Sequence, residues 1–137
     1  MNAENLAYTA VQVVHNFGAA AVVGGAVFAR WPTAQDPVVQ RWLAWLVLAG
    51  WVAQAASGSL FGAVSVHYYG QFPDIHGIAV AALGIKIAAA VVGVAVAAAF
   101  LRLSARWGDT ARRRAWAALT GAGVVALTAA AFLRWFS

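Results

Sequence analysis

Four long apolar runs organise the chain, separated by short polar links. The first extends from Leu6 to Phe28 and stops at Arg30, Trp31 and Pro32. The second covers Trp42 to Val66, the third Gly77 to Leu101, and the fourth Ala115 to Phe132, closed by Arg134, Trp135 and Phe136. Each comes close to the ~20 residues that carry a helix across a hydrocarbon core. The pattern predicts an all-α integral membrane protein, a four-helix bundle forming one domain over residues 1–137. Its helices are expected at roughly 6–28, 42–66, 77–101 and 115–132, with ends uncertain by about 2–4 residues. The links are Arg30 to Arg41, Tyr68 to Ile75 and Arg102 to Arg114, short enough to make successive helices antiparallel neighbours.

Composition strengthens this reading. Hydrophobic residues make up 64% of the chain and charged residues 9%, against about a quarter charged in soluble domains. So few charges cannot solvate a globular surface, which leaves the lipid bilayer as the partner of the apolar faces. The formal charge of +5 does not indicate a nucleic-acid partner, because the arginines sit in the links, where positive charge sets membrane topology. Arg30 and Arg41 flank the first link, Arg102, Arg106, Arg112, Arg113 and Arg114 fill the third, and the second has none. The positive-inside rule then places the first and third links in the cytoplasm and both termini outside. Arg134 opposes this weakly. The start of the chain lacks a basic n-region, so the first helix is expected to be retained and not cleaved as a signal peptide. Trp31, Trp42, Trp45, Trp107 and Trp135 lie near the helix ends, as an interfacial aromatic belt requires. Arg- and Ala-rich, Lys-poor usage points to a bacterium, and with the topology to its inner membrane and periplasmic termini.

Chemistry has few places to reside. There is no cysteine, and the sole methionine is Met1, which excludes disulfides, thiolate metal sites, iron–sulfur clusters and an internal thioether site for soft Cu(I). Glu4, Asp36, Asp74 and Asp109 all fall at ends or in links. Only His15 and Lys86, the single lysine, are ionisable and well inside the spans, and an intramembrane ionisable group is a functional hypothesis by default. His15 lies nine positions past Leu6 and Lys86 nine past Gly77. At ~1.5 Å per residue both sit roughly 14 Å into a core of about 30 Å, on one level near the midplane.

Gln12, His15 and Asn16 follow i, i+3, i+4 spacing and form one polar patch. Gly18 and Ala19 continue that face, while Ala82, Ala89, Ala90 and Gly93 share the face of Lys86. Small residues there allow close packing or leave room for a flat ligand. Gln54, Ser57 and Gly58 add polar and small groups near mid-depth on the second helix. Two readings follow. In one, His15 ligates haem iron and Lys86 handles a proton or lines the ligand pocket, with Gln12 and Asn16 beside them. In the other, the cluster is hydrogen-bonding glue between helices.

A second constellation, His67, Tyr68, Tyr69, Asp74 and His76, closes the turn between the second and third helices. His67 and His76 with the carboxylate form a candidate zinc or Cu(II) site. The blander expectation is interfacial aromatic residues, with Asp74 capping the third helix. No phosphate loop, nucleotide fingerprint, catalytic triad or pair of intramembrane carboxylates is present, which argues against an ATPase, a serine hydrolase or a carboxylate-driven proton transporter.

Helix one reads Val14-His15-Asn16-Phe17, then Gly24-Gly25, then Phe28 and Arg30, and helix three reads Gly84-Ile85-Lys86-Ile87. A helix-one histidine followed by a glycine pair, with an apolar-Lys-apolar element in helix three, resembles the CopD-type membrane domains and the HemJ-type protoporphyrinogen oxidases. The resemblance covers the four-helix layout and two short motifs. It implies a b-type haem, a helix-one histidine and a helix-three lysine important for activity, and by position those roles fall on His15 and Lys86. The expectation is therefore a b-type haem or redox membrane protein, an oxidoreductase if it is an enzyme, with an electron carrier, a quinone or a porphyrin as partner. The second axial ligand stays open between Lys86 and a five-coordinate iron, since His67 and His76 lie about 14 Å too shallow on ideal helix geometry. The alternatives are a cofactor-free accessory subunit of a larger membrane complex, or homo-oligomer, and a small metal-handling protein using His67 and His76.

Overall fold

The computed structural model describes residues 2–136. Its helices are α1 (Ala3–Phe28), α2 (Pro37–Tyr69), α3 (Ile78–Leu103) and α4 (Asp109–Trp135), with a single 3-10 turn, Ser104–Arg106, leading into α4. There is no strand among the described residues. All four helices are long and apolar enough to cross a membrane. The helices exceed the apolar runs chiefly at their polar ends, because backbone hydrogen bonding continues after hydropathy has fallen.

Local chemistry explains the ends. Asn2 caps α1 by accepting from the Glu4 amide at 3.2 Å. Asp36 caps α2 by accepting from the amides of Val38 and Val39 at 2.9 and 3.0 Å, and Pro37 occupies the first turn, where a missing N–H does no harm. Gly70, with φ +72°, ends α2 in the left-handed conformation that a residue without Cβ adopts freely. The expected cap of α3 by Asp74 is not made: the cap position is Gly77, which offers no side chain. Asp74 instead meets His76 Nε2 at 3.0 Å. At the far end of α3, Arg41 Nη1 donates to the Leu101 carbonyl at 2.9 Å. Arg112 donates through Nε and Nη2 to the Ser104 carbonyl at 3.1 and 2.9 Å. Arg41 thus meets an oxygen of the last turn of α3, while Arg112 joins the Trp107 amide on the Ser104 carbonyl.

Helix α1 packs chiefly along α2, and α3 along α4. The interior is built from small residues. Ala26, Ala29, Ala44, Ala79 and Ala97 have no exposed surface, and the larger Trp51, Phe100, Trp116 and Leu119 fill what remains. Large apolar side chains face outward instead, including Phe17 at 74% exposure and Val91 at 63%. This small-inside, large-outside arrangement suits helices that gain nothing from hiding apolar groups from lipid and are held by close backbone approach. A close backbone approach joins α1 to α2, where a Cβ added at Gly50 would lie 2.9 Å from the Gly18 carbonyl oxygen. Where α2 meets α3, the Trp51 indole lies flush against Gly93, and a Cβ there would collide with ring atoms Cε2, Nε1 and Cζ2. One buried polar link braces the same core: Trp116 Nε1 donates to Gln40 Oε1 at 2.9 Å, and Gln40 Nε2 donates to the Gln35 carbonyl at 2.6 Å.

Candidate functional site

The α1–α2 crossing at Gly18 and Gly50 brings the next turn of each helix together. Gln54, one turn after Gly50, donates its side-chain amide to the backbone carbonyl of His15. Ser57, fully buried, lies within 2.7 Å of His15 Nδ1. From the other side, Lys86 of α3 reaches His15 with Nζ 3.1 Å from Nε2. The two ionisable residues singled out as lying well inside the apolar runs, at a shared expected depth, therefore meet directly. Their pairing spans α1 and α3, two helices that do not pack extensively against each other. Phe61 of α2 presses edge-on against the imidazole, with ring centroids 5.7 Å apart, and Tyr8 stacks on Phe61 at 6.3 Å.

The hydroxyl geometry fixes the direction of the chain of bonds. Ser57 Oγ lies 2.5 Å from the Ala53 carbonyl, one turn earlier on its own helix, and carries a single proton. That proton goes to the carbonyl, so toward His15 the hydroxyl oxygen accepts. His15 then carries its proton on Nδ1, an assignment made from the bonding network, and its Nε2 lone pair accepts from Lys86. A lysine N–H serves this role whether the amine is charged or neutral. Among the described residues Lys86 has no other hydrogen-bond partner, and the one salt-bridge pair, His76 with Asp74, does not involve it. Asp36 is committed to its cap, and Glu4 accepts from Tyr69 Oη at 2.5 Å. The amine is thus matched by an imidazole and not by a counter-ion.

The remaining candidates are arranged differently. Gln12 Nε2 donates to Asn16 Oδ1 at 2.7 Å on an exposed face of α1, so these two bond to each other and make no side-chain hydrogen bond to His15 or Lys86. His67 packs edge-on against Tyr68 at 4.8 Å, while His76 pairs with Asp74, both of the latter about four-fifths exposed. Among the described residues no three His, Cys, Asp or Glu side chains gather in a group that could hold a metal ion. The outer constellation therefore does not assemble into the site its composition suggested.

The inner site offers two nitrogen donors that could hold a metal or cofactor: an imidazole oriented through its other nitrogen, and an amine facing it. Metal–nitrogen bonds of about 2 Å each would need the two nitrogens about 4 Å apart, whereas they touch at 3.1 Å. Lys86, on a flexible four-carbon stem, is the partner able to withdraw. Its flanks on the same face, Ala82 and Ala89, are small and buried.

Two features of the α2 face beside the site were not singled out by sequence. Ser57 was legible only as a polar residue near mid-depth, and its spacing of three from Gln54 is the one signal that both face α1. Trp51 continues that face one turn earlier, is 2% exposed, and has a buried Nε1 with no hydrogen-bond partner. Comparison of the chain with protein-family models, curated proteins and solved structures finds no match.

Proposed function

We propose that the chain is a multi-pass inner-membrane redox protein of a bacterium that binds a b-type haem at His15, with Lys86 as the proton-handling or ligand-pocket residue. One observation carries the reading: the two ionisable side chains that lie well inside the apolar runs are 3.1 Å apart, nitrogen to nitrogen, with no carboxylate between them among the described residues. A structural ion pair would bring opposite charges together, whereas two basic nitrogens suit a Lewis-acidic iron or an anionic or carbonyl-bearing ligand. When bound, haem supplies one-electron chemistry. The protein's part is to hold His15 by Ser57 at Nδ1 and Gln54 at its carbonyl, to shield the imidazole with Phe61, and to keep an amine beside Nε2. The partner is an electron carrier, a quinone or a porphyrin, because the links are too short to build a water-filled active site. If the protein is an enzyme, it is a membrane oxidoreductase, with HemJ-like protoporphyrinogen oxidation as the reaction to assay first. The arginine distribution supports antiparallel helices with both termini on the periplasmic side.

A second reading has its own observation. Both nitrogens of His15 already have protein partners, so the cluster is satisfied without a cofactor and would serve a cofactor-free accessory subunit as interhelical glue. Oxidised and dithionite-reduced absorption spectra of detergent-purified protein from haem-replete cells separate the two. The haem reading expects a Soret band with reduced α and β bands, lost in His15→Ala and shifted in Lys86→Ala. A featureless visible spectrum from folded protein would overturn it in favour of the accessory subunit.

A further inference from the structure

A cavity of about 320 Å³ opens where the start of α2, the end of α3 and the start of α4 meet, far from His15. Arg41 and Arg112 line it together with Trp42, Trp45, Phe100 and Ser104. Each guanidinium is tied down by a backbone carbonyl, Arg41 to Leu101 and Arg112 to Ser104. A guanidinium has five N–H donors, so each keeps donors that make no bond among the described residues. No acidic residue lines the cavity. The nearest along the chain, Asp36, turns its carboxylate to the amides of Val38 and Val39, and Asp109 lines a separate, smaller cavity on the other flank of Arg112. Neither arginine forms a salt bridge among the described residues.

Two positioned guanidiniums without a counter-ion form the planar, multi-donor arrangement that recognises phosphate oxygens. Surroundings decide the source of that phosphate. The mouth is flanked by Trp42 at 72% exposure and Trp45 at 51%, and Leu46 beside them is also outward-facing. Indoles of this kind sit at the headgroup level of a bilayer. The floor is the apolar ring of Phe100, and the volume lies at the small end of the range for small-molecule pockets, enough for a headgroup whose tails run along the outer apolar faces. We propose that this cavity is a binding site for the phosphodiester headgroup of an anionic phospholipid from the adjoining leaflet, independent of any haem at His15.

The test uses the purified full chain in detergent and native mass spectrometry, with phosphatidylglycerol, phosphatidylcholine and inorganic phosphate as probes. Phosphatidylglycerol should be retained in preference to phosphatidylcholine, which carries the same phosphodiester but neutralises it with its own trimethylammonium group, a cation that the two guanidiniums repel. Arg41→Gln combined with Arg112→Gln should weaken retention by about tenfold or more, the scale expected for losing charge-assisted hydrogen bonds. Arg106→Gln combined with Arg114→Gln removes the same charge outside the cavity and should leave retention unchanged. Equal losses in the two double variants would overturn the proposal by reducing the effect to net charge. Displacement of phosphatidylglycerol by inorganic phosphate at matching concentration would overturn it in favour of a soluble anion. Because Arg41 and Arg112 also brace α3, a second measurement needs no variant: in nanodiscs, a trace of phosphatidylglycerol brominated near the headgroup should quench tryptophan fluorescence more than the same trace of brominated phosphatidylcholine. Equal quenching would refute the site.

Discussion

Replacing Gly93 by Ala adds one methyl group at the tightest place in the bundle. The new Cβ would fall on Trp51 Cε2, Nε1 and Cζ2. Trp51 is 2% exposed, so its ring has no open side to turn toward. Either the indole leaves its rotamer or α2 and α3 move apart, and overpacking of this kind costs about 1–3 kcal/mol. Alanine's better helix propensity returns roughly 0.5–1 kcal/mol, which blurs the raw number. Gly84→Ala removes the ambiguity: it lies on the same helix and gains the same propensity, but its added Cβ meets nothing within 4 Å. The predicted gap between the two variants is therefore about 1–3 kcal/mol. Unfolding in mixed micelles, titrated with a denaturing detergent and followed by circular dichroism, gives both values. A Trp51→Leu background should relieve the collision, so the cost of Gly93→Ala should shrink there by at least ~1 kcal/mol, as contacting sites are non-additive. If Gly93→Ala matches Gly84→Ala, or costs the same with and without the indole, the packing described for α2 and α3 is wrong.

Gln40→Leu strips the only partner from the buried Trp116 Nε1 and should destabilise the bundle by about 1–3 kcal/mol; an unchanged unfolding midpoint would refute that link. In Lys86→Met, His15 Nε2 loses its donor, so carbethoxylation of His15 by diethyl pyrocarbonate, read by mass spectrometry against His67 and His76 as exposed standards, should rise. Labelling no faster than in the parent protein would show that Lys86 does not cover that nitrogen. His76→Ala breaks only an exposed pair with Asp74 and should alter stability by no more than ~0.5 kcal/mol, with metal content of the purified protein also unchanged; a fall in bound zinc or copper would revive the outer site.

The count of helices was legible because a membrane span needs an unbroken apolar length, and Leu6–Phe28 and its three successors supply it. Their ends were less so. Asp36 and Pro37 start α2 five residues before Trp42, since capping is a matter of hydrogen bonds that hydropathy does not register. The arginine turn of α4 is helical without any side-chain cap, because backbone hydrogen bonds form there regardless of hydropathy. His15 and Lys86 were matched by counting rises from the start of each apolar run, Leu6 and Gly77, a one-dimensional measure that needs no knowledge of packing. What turns toward what is a rotational question. Gln12 and Asn16 share a spacing with His15, yet side chains at that spacing also bond to each other, as Gln12 and Asn16 do. The partnership of Trp51 with Gly93 and of Gln40 with Trp116 depends on which helices become neighbours, and no periodicity within one helix contains that information.

The absence of a carboxylate beside Lys86 has an electrical consequence. A proton that binds there brings a charge to mid-bilayer that no neighbour cancels, and to reach that depth it must cross part of the transmembrane potential. A full crossing is worth ~2.3 kcal/mol per 100 mV, so arrival near the midplane is worth about half of that. Proton occupancy of this one amine would therefore respond to membrane voltage as well as to pH.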